Sequence, residues 1–201
     1  LSQLYKDSAF VTRTQNTTAK EDLQIKSVRE QLEKIKEKIG SDFIKLKVGN
    51  NTYEVTDVES TPGTPKSDMN FIGRNGVRLG FCSLKDGATA GAIQQWGGAS
   101  VSREPLIAAH PEVVAFVKTA REMFPTEIPQ GTTVAREITD PKLRMQGIYG
   151  SGYGGSLGVN NVDVLLQGTV KINAINFTEY KITGSAMTHS NGSTLPPEYQ
   201  P

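Results

Sequence analysis

The chain has 201 residues, with 22 lysines and arginines, 21 aspartates and glutamates, and 36% apolar residues. This length suits one domain with a sizeable core, and the composition is that of a folded protein rather than a disordered or collagen-like one. The formal net charge of +1 excludes a protein that coats nucleic acid through bulk charge. Any contact with DNA therefore requires a local basic patch.

The single cysteine, Cys82, excludes an intrachain disulfide and is compatible with a reducing compartment. No apolar run approaches the roughly 20 residues that a membrane helix requires, so we expect no membrane partner. Because the chain starts at Leu1 and shows no signal peptide, we expect it to be part of a longer or processed product.

Residues 1–18 are polar and without periodicity, which predicts an arm or linker, and residues 19–201 are expected to form a single domain. Apolar residues then recur at spacings of three and four from Ile25 to Ile39, and Gly40 supplies a stop. This pattern predicts an amphipathic helix that packs on a sheet. A short coiled coil is the alternative, with fewer than three heptads to support it.

The period then changes to two. Residues 43–48 and 53–58 alternate on either side of a Gly49–Asn51 turn and predict a hairpin with one buried face. A second hairpin is predicted for residues 68–72 and 77–84, because Asn75-Gly76 between them is the dipeptide favoured in two-residue turns.

The remaining chain predicts short helices and strands. Residues 87–98 are bounded by glycines and are predicted to hold a short helix. A longer helix is predicted to begin at Pro111 and to end at Pro125. Residues 147–158 are predicted to form a flexible glycine-rich loop. Further predictions are a strand at 132–138, a short helix at 141–145, and strands at 162–166, 170–175 and 180–187. The expected class is α/β (mixed α+β), with a central sheet flanked by helices and a strand-rich C-terminal part.

The second hairpin is predicted to collect polar residues on one face. With Asn75-Gly76 as the loop, Asp68 lies opposite Ser83, and Lys85 shares the face of Ser83 because strands alternate. An aspartate, a polar residue and a lysine suit phosphodiester hydrolysis. The carboxylate is a ligand for Mg²⁺, the lysine orients or deprotonates the attacking water, and the serine holds a metal-bound water.

At this point the chain resembles a known family. Pro65-Lys66-Ser67-Asp68, the hairpin, and Ser83-Leu84-Lys85 resemble the core motif of the PD-(D/E)XK nuclease superfamily, and the preceding helix and strand follow that family's order over residues 19–124. Ser83 stands where the family usually has Glu or Asp, as in some type II restriction enzymes with Ser-x-Lys. The resemblance implies a restriction-endonuclease-like sheet, a Mg²⁺ or Mn²⁺ cofactor and DNA as the partner.

The same resemblance suggests further site residues. Glu30 on the first helix is the preferred second metal ligand, with Glu54 or Glu59 on the first hairpin as alternatives. Gln95 is expected to approach the site from a helix. The basic residues expected to touch phosphates are Lys66, Arg74, Arg78 and Arg103.

Other stretches resemble bacteriophage proteins, among them Gln95–Gly98 and residues 189–192 and 196–199. The first hypothesis is therefore a phage-encoded, metal-dependent DNA endonuclease, located in the host cytoplasm or the virion. The alternatives are a non-catalytic structural or assembly protein of a phage particle, which contacts other phage proteins, and a decayed nuclease fold kept for DNA binding. An oligomer is compatible with each of them.

Overall fold

The structure is a computed structural model that describes residues 15–63, 65–86, 95–96, 104–130, 132, 136–185, 188–189 and 198–199. The helices are α1 (Gln15–Ile39), α2 (Pro105–Ala108), α3 (Pro111–Met123) and α4 (Pro141–Tyr149). The strands are β1 (Ile44–Val48), β2 (Asn51–Ser60), β3 (Met69–Gly73), β4 (Arg78–Lys85), β5 (Gln95–Trp96), β6 (Arg136–Glu137), β7 (Val164–Gln167), β8 (Lys171–Ala174), β9 (Glu179–Thr183), β10 (Thr188–His189) and β11 (Glu198–Tyr199).

Helix α1 packs on the sheet, as the spacing of its apolar residues predicts. Ile25, Val28 and Leu32 are buried in the largest core cluster, and each contributes about 1.5–3 kcal/mol through burial. The helix starts at Gln15, so residues 15–18 belong to it rather than to the predicted arm, and residues 1–14 lie outside the described residues. The N-terminal boundary was therefore predicted too late in the chain.

An eight-stranded mixed sheet forms the centre, in the order β10-β7-β4-β3-β2-β1-β9-β8. Strands β1 to β4 are an antiparallel meander, and both predicted hairpins are part of it. The segment after β4 crosses over through helices and returns as β7, which is parallel to β4, while β9 lies parallel to β1 at the other side. These features confirm the predicted mixed α+β class.

The two faces of this sheet are covered differently. The α1 face carries the main core, which includes Met69, Cys82 and Val164. On the opposite face, Phe81 and Leu165 pack against the end of α4. A separate small cluster joins α2, α3 and the start of α4. The opposite face is therefore covered by α4 at β4 and β7.

Several sequence predictions for the second half of the chain need correction. Helix α4 continues to Tyr149, so it includes the first residues of the predicted glycine-rich loop, and Asp140 caps it by accepting the amide of Leu143 at 2.8 Å. Of the predicted helix within residues 87–98 only Gln95–Trp96 is described, and it is a strand. Among the described residues, no helix combines the length and the apolarity needed to span a bilayer.

Candidate functional site

The predicted polar residues meet at the end of the β3–β4 hairpin that is remote from its turn. Ser83 Oγ donates a hydrogen bond to Asp68 Oδ2 at 3.3 Å, and the backbone amide of Leu84 donates to the same oxygen at 2.7 Å. Asp68 is 6% exposed and Ser83 is fully buried. The structure thus brings Asp68 to Ser83, as the sequence predicts.

Lys85 follows Ser83 on the same face of β4. Alternation along the strand places Phe81, Ser83 and Lys85 together, and Phe81 marks this face as the one opposite α1. Lys85 is half-buried and lies beside Gln167 of the parallel strand β7. One carboxylate, one hydroxyl and one ammonium group therefore share this end of the sheet.

The register near the turn differs from the predicted one. The amide of Gly73 donates to the carbonyl of Val77 at 2.8 Å, and the amide of Gly76 donates to Gly73 at 2.9 Å. The loop therefore has three residues, 74–76, rather than the predicted Asn75-Gly76 pair. Carried along the whole hairpin, this shift of one residue would turn the polar side chains of one strand to the other face.

A β-bulge in β4 corrects the shift. Phe71 faces Leu79, whereas Met69 faces Cys82, so β4 carries one more residue than β3 over this stretch. Beyond the bulge the pairing returns to the predicted register. The meeting of the polar residues therefore depends on a bulge that the sequence analysis does not include.

Gly80 makes this bulge sterically feasible. Its φ is +61°, in the left-handed region that favours glycine, and a Cβ atom placed on it would lie 3.1 Å from Phe71 Cδ2 and 3.3 Å from Val48 Cγ2. Glycine is thus required here both by the backbone and by the packing of the core.

Asp163 lies just before β7 and forms hydrogen bonds to the bulge at the edge of β4 that faces β7, opposite the edge that pairs with β3. Its Oδ2 accepts the amide of Phe81 at 2.9 Å, and its own amide donates to the carbonyl of Phe81 at 2.8 Å. Its Oδ1 accepts the hydroxyl of Tyr53 at 2.5 Å and the side-chain amide of Asn51 at 3.3 Å. Asp163 therefore satisfies a backbone amide at the bulge and ties β4 to β7 and β2.

Burial dominates the electrostatics of Asp163. It raises the pKa of Asp163, although the hydrogen bonds from Tyr53, Phe81 and Asn51 act in the other direction. Burial, followed by the hydrogen bond to Asp163, raises the pKa of Tyr53. Asp163 was not predicted as a site residue. The sequence feature that could have indicated it is its place at the start of an apolar strand, because aspartate is disfavoured in strands.

A buried hydrogen-bond network holds the segment that leads into Asp68. Thr61 Oγ1 contacts Ser67 Oγ at 2.9 Å and donates to Asn70 Oδ1 at 2.9 Å. The amide of Thr61 also donates to the carbonyl of Asp68 at 3.0 Å. Buried polar groups that satisfy one another in this way hold a side chain in one position.

The carboxylates proposed as second metal ligands lie in three different places. Glu30 is exposed on α1, which packs on the opposite face of the sheet, so the structure does not bring it to Asp68. Glu54 forms an ion pair with Arg74 at 3.3 Å near the turn. Glu59 faces Asn70 across β2 and β3, on the face that carries Asp68. Glu54 and Glu59 are both on the face opposite α1, and Glu59 is the nearer of the two to Asp68, because it pairs with Asn70.

Glu59 already has strong partners. It accepts hydrogen bonds from Arg78 and from the side-chain amide of Asn70 at 3.2 Å. Burial acts to raise the pKa of Glu59, and these hydrogen bonds outweigh it, so that the pKa is lowered. Within the described residues, no group of three or more His, Cys, Asp or Glu side chains is arranged to hold a metal ion.

The predicted phosphate-binding residues do not form one cluster. Lys66 lies two residues before Asp68, and its Nζ donates to the carbonyl of Gly147 at 3.3 Å. Arg74 and Arg78 both start near the turn of the hairpin and are paired with glutamates, Arg74 with Glu54 and Arg78 with Glu59. Arg103 lies outside the described residues. Of the described members of the set, Lys66 is therefore close to Asp68 in the chain, and Arg78 reaches the candidate carboxylate Glu59.

Gln95 was predicted on a helix that approaches the site. The structure places it in β5, beside Glu198 of β11, in a separate three-stranded sheet. The prediction of a helix at this position is therefore wrong.

The glycine-rich segment after α4 forms one wall of a cavity of about 300 Å³. Tyr149 and Tyr153 stack at 5.7 Å between ring centroids, and Asp163 lines the same cavity. The amide of Gly152 donates to the carbonyl of Asn160 at 2.8 Å, so this segment is fastened to the chain that leads into β7.

Comparisons with protein-family models, with curated proteins and with solved structures find no match to this chain.

Proposed function

We propose that the protein is a metal-dependent DNA endonuclease of the PD-(D/E)XK type that hydrolyses phosphodiester bonds. The observation that carries the proposal is the hydrogen bond between Ser83 and Asp68 at 3.3 Å, with Lys85 on the same face of the same strand. The order of α1, the meander and the helices that follow it also agrees with the element order that the resemblance implies.

The donor set suits Mg²⁺ or Mn²⁺ better than a softer metal. Mg²⁺ in phosphoryl-transfer sites is held by one or two carboxylates, with water and substrate phosphate as the other ligands. Asp68 would supply the first carboxylate, because a carboxylate has two oxygens that each accept more than one partner. Glu59 is the best placed second carboxylate, if Arg78 gives way to the metal.

The chain's own residues have distinct tasks in this proposal. The metal, when bound, stabilises charge on the phosphate that is attacked. Lys85 orients the attacking water or, in its neutral form, takes the proton that the water loses as its oxygen bonds to phosphorus; the P–O bond to the leaving oxygen breaks, and that oxygen takes a proton from solvent water. Ser83 fixes the position of the Asp68 carboxylate and of a water beside it. Lys66 contacts the substrate backbone from the segment before Asp68.

The resemblance to bacteriophage proteins is the ground on which we propose a phage-encoded protein that acts in the host cytoplasm or is carried in the virion. DNA is the proposed partner, other phage proteins are further candidates, and an oligomer is compatible with the fold.

A cleavage assay tests the function. Supercoiled plasmid is incubated with the wild-type protein and Mg²⁺ or Mn²⁺, and then with Asp68→Asn and Lys85→Gln. Each substitution should lower the cleavage rate by about 10² or more, because Lys85→Gln removes a positioned acid–base group, which contributes about 10²–10⁴-fold, and Asp68→Asn removes the carboxylate that would hold the metal. The matched controls are Asp22→Asn and Lys26→Gln on the exposed side of α1, and they should cleave at the wild-type rate. Cleavage that persists in both site variants would refute the assignment.

One observation favours a second candidate. Asp68 Oδ2 holds the amide of Leu84 and Glu59 holds Arg78, so both carboxylates have structural partners. This arrangement is also what a decayed nuclease fold would show, retained for DNA binding or as a non-catalytic structural or assembly protein of a phage particle. Stoichiometric recovery with purified particles, together with no cleavage and no bound metal, would support the structural role, whereas salt-dependent DNA binding without cleavage would support the decayed nuclease kept for DNA binding.

A further inference from the structure

Four lysines lie on the sheet face opposite α1, in the half that β1, β9 and β8 form. Leu46, Ile172 and Ile182 are buried against α1, so the residues that alternate with them point to the other face. We call these residues the lysine face: Lys45, Lys47, Lys171 and Lys181. Lys45 and Lys171 are exposed, and Lys47 and Lys181 are half-buried.

Two of these charges are direct neighbours. Lys47 of β1 lies beside Lys181 of β9 in the parallel ladder, about 5 Å apart between Cα atoms. Lys171 pairs with Thr183, which places it diagonally next to Lys181, about 7–8 Å away. Like charges that lie directly opposite one another in a sheet are destabilising. The fold therefore maintains an unfavourable concentration of positive charge on this surface.

Two glutamates, Glu54 and Glu179, flank Lys45 on the neighbouring strands and neutralise part of this charge, which leaves the positive excess at Lys47, Lys171 and Lys181. Within the described part of the chain, no carboxylate lies within ion-pair distance of Lys47, Lys171 or Lys181. The residues beside Lys47 and Lys181 in the same row across the strands are uncharged, Thr52 and Asn173. Hydroxyl and amide groups beside lysines are typical phosphate contacts.

We propose that the lysine face binds the sugar-phosphate backbone of duplex DNA. The net charge of the whole chain is +1, so a local concentration of positive charge is the means by which it would attract DNA. The proposal rests in part on the proposed function, because the lysine face and the Asp68–Ser83 site share one face of one sheet. The two lie three to five strands apart across the sheet and, because Lys47 is level with Thr52 and Cys82 with Ser60 of β2, also about eight residues apart along the strands, which together is about 30–35 Å on a flat sheet. That distance is about 9–10 base pairs of duplex, so a duplex of about 25 base pairs is longer than the separation.

The experiment measures binding apart from cleavage. A fluorescent duplex of about 25 base pairs is titrated with the full chain in EDTA at several salt concentrations, and anisotropy gives the affinity. The triple variant Lys47→Gln, Lys171→Gln, Lys181→Gln should bind about 10- to 100-fold more weakly at 0.1 M salt. The slope of log K against log[salt] should fall in magnitude by about 2–3, since each phosphate contact contributes about 0.9.

The control removes the same charge from the other side of the molecule. Lys26→Gln, Lys34→Gln, Lys38→Gln changes three exposed lysines of α1 and should leave both affinity and slope at the wild-type values. Circular dichroism verifies that both triple variants are folded. Equal losses in the two triple variants, or no change in slope for the first, would overturn the proposal. So would polyglutamate that competes as well as DNA of equal charge, since the partner would then be an acidic protein.

Failure of this inference and failure of the nuclease proposal give different results. Asp68→Asn should retain the wild-type affinity in EDTA, because Asp68 lies outside the lysine face. A protein that binds DNA through the lysine face but never cleaves it retains this inference and loses the nuclease. If the triple variant of the lysine face cleaves DNA with the wild-type KM, the nuclease proposal stands and this inference fails.

Discussion

Replacing Gly80 by alanine should destabilise the protein, because this residue forms the bulge that aligns the candidate site. A non-glycine residue in the left-handed region costs about 1–2 kcal/mol. The new Cβ would lie 3.1 Å from Phe71 Cδ2 and 3.3 Å from Val48 Cγ2, both on fully buried side chains. Overpacking of a core costs about 1–3 kcal/mol, so the total is about 2–5 kcal/mol.

Thermal unfolding followed by circular dichroism measures this loss. In a chain of this size 1 kcal/mol shifts Tm by about 2–4 °C, so Gly80→Ala should lower Tm by about 4–20 °C. Gly76→Ala is the matched control: its φ is +78°, and no atom lies within 4 Å of the added Cβ. The Gly76→Ala variant has the backbone penalty alone and should lower Tm by about 2–8 °C. A Gly80→Ala variant as stable as Gly76→Ala would refute the role assigned to the packed bulge.

Three further predictions follow from buried or like-charged groups. Burial raises the pKa of Asp163, so the folded state binds this proton more tightly than the unfolded state does. In urea unfolding at a series of pH values, the wild type should therefore lose stability relative to Asp163→Asn as the pH rises above about 4, the usual pKa of an aspartate, and a difference that does not change with pH would contradict this. Lys181→Gln removes a neighbour of Lys47 and should stabilise the protein by a few tenths of a kcal/mol, about the size of other cross-strand pairs, at low salt, with the gain disappearing in 1 M salt. Cys82 is fully buried and burial raises the pKa of its thiol, so a thiol reagent should label it at the rate of unfolding, and rapid labelling of the folded protein would contradict its position.

The local elements could be predicted because their signals are local. The apolar spacing of α1 and the alternation of β1 to β4 each follow from the period of one element. His110 lies directly before Pro111 and caps α3, because its side chain accepts the amide of Glu112. Val114 belongs to the apolar run of α3 but is 52% exposed, because the buried face of the helix is narrower than that run of apolar residues.

The meeting of Asp68 and Ser83 was predicted correctly from an incorrect turn. A three-residue loop shifts the register by one, and the bulge at Gly80 shifts it back. Either deviation alone would have separated the two side chains. A glycine within a strand pattern indicates a bulge, so Gly80 could have been recognised as the site of one. The final register, however, follows only when the bulge and the three-residue loop are counted together.

Contacts between distant segments could not be predicted from local patterns. Glu30 was preferred over Glu59 as a ligand because it is on the helix, yet which face of a sheet a helix covers is not encoded in the helix's own period. The same limit applies to Asp163, which reaches the bulge from the far end of the crossover. The lysine face likewise depends on β9 lying beside β1, a pairing between segments far apart in the chain.

The bulge also connects the candidate site to the order in which the chain assembles. Its amide at Phe81 is satisfied by Asp163, and Cys82 and Ser83 pair with Val164 and Leu165 of β7. The meander can form from local contacts, but the register of β3 and β4 beyond Gly80 is fixed only when β7 pairs with β4. Contacts between residues so distant in sequence form late, because their loop-closure entropy must be overcome first. The alignment of Asp68 with Ser83 should therefore be among the last features to form. Asp163→Ala should accordingly weaken the contact between Asp68 and Ser83 more than it weakens the other contacts within the β3–β4 hairpin.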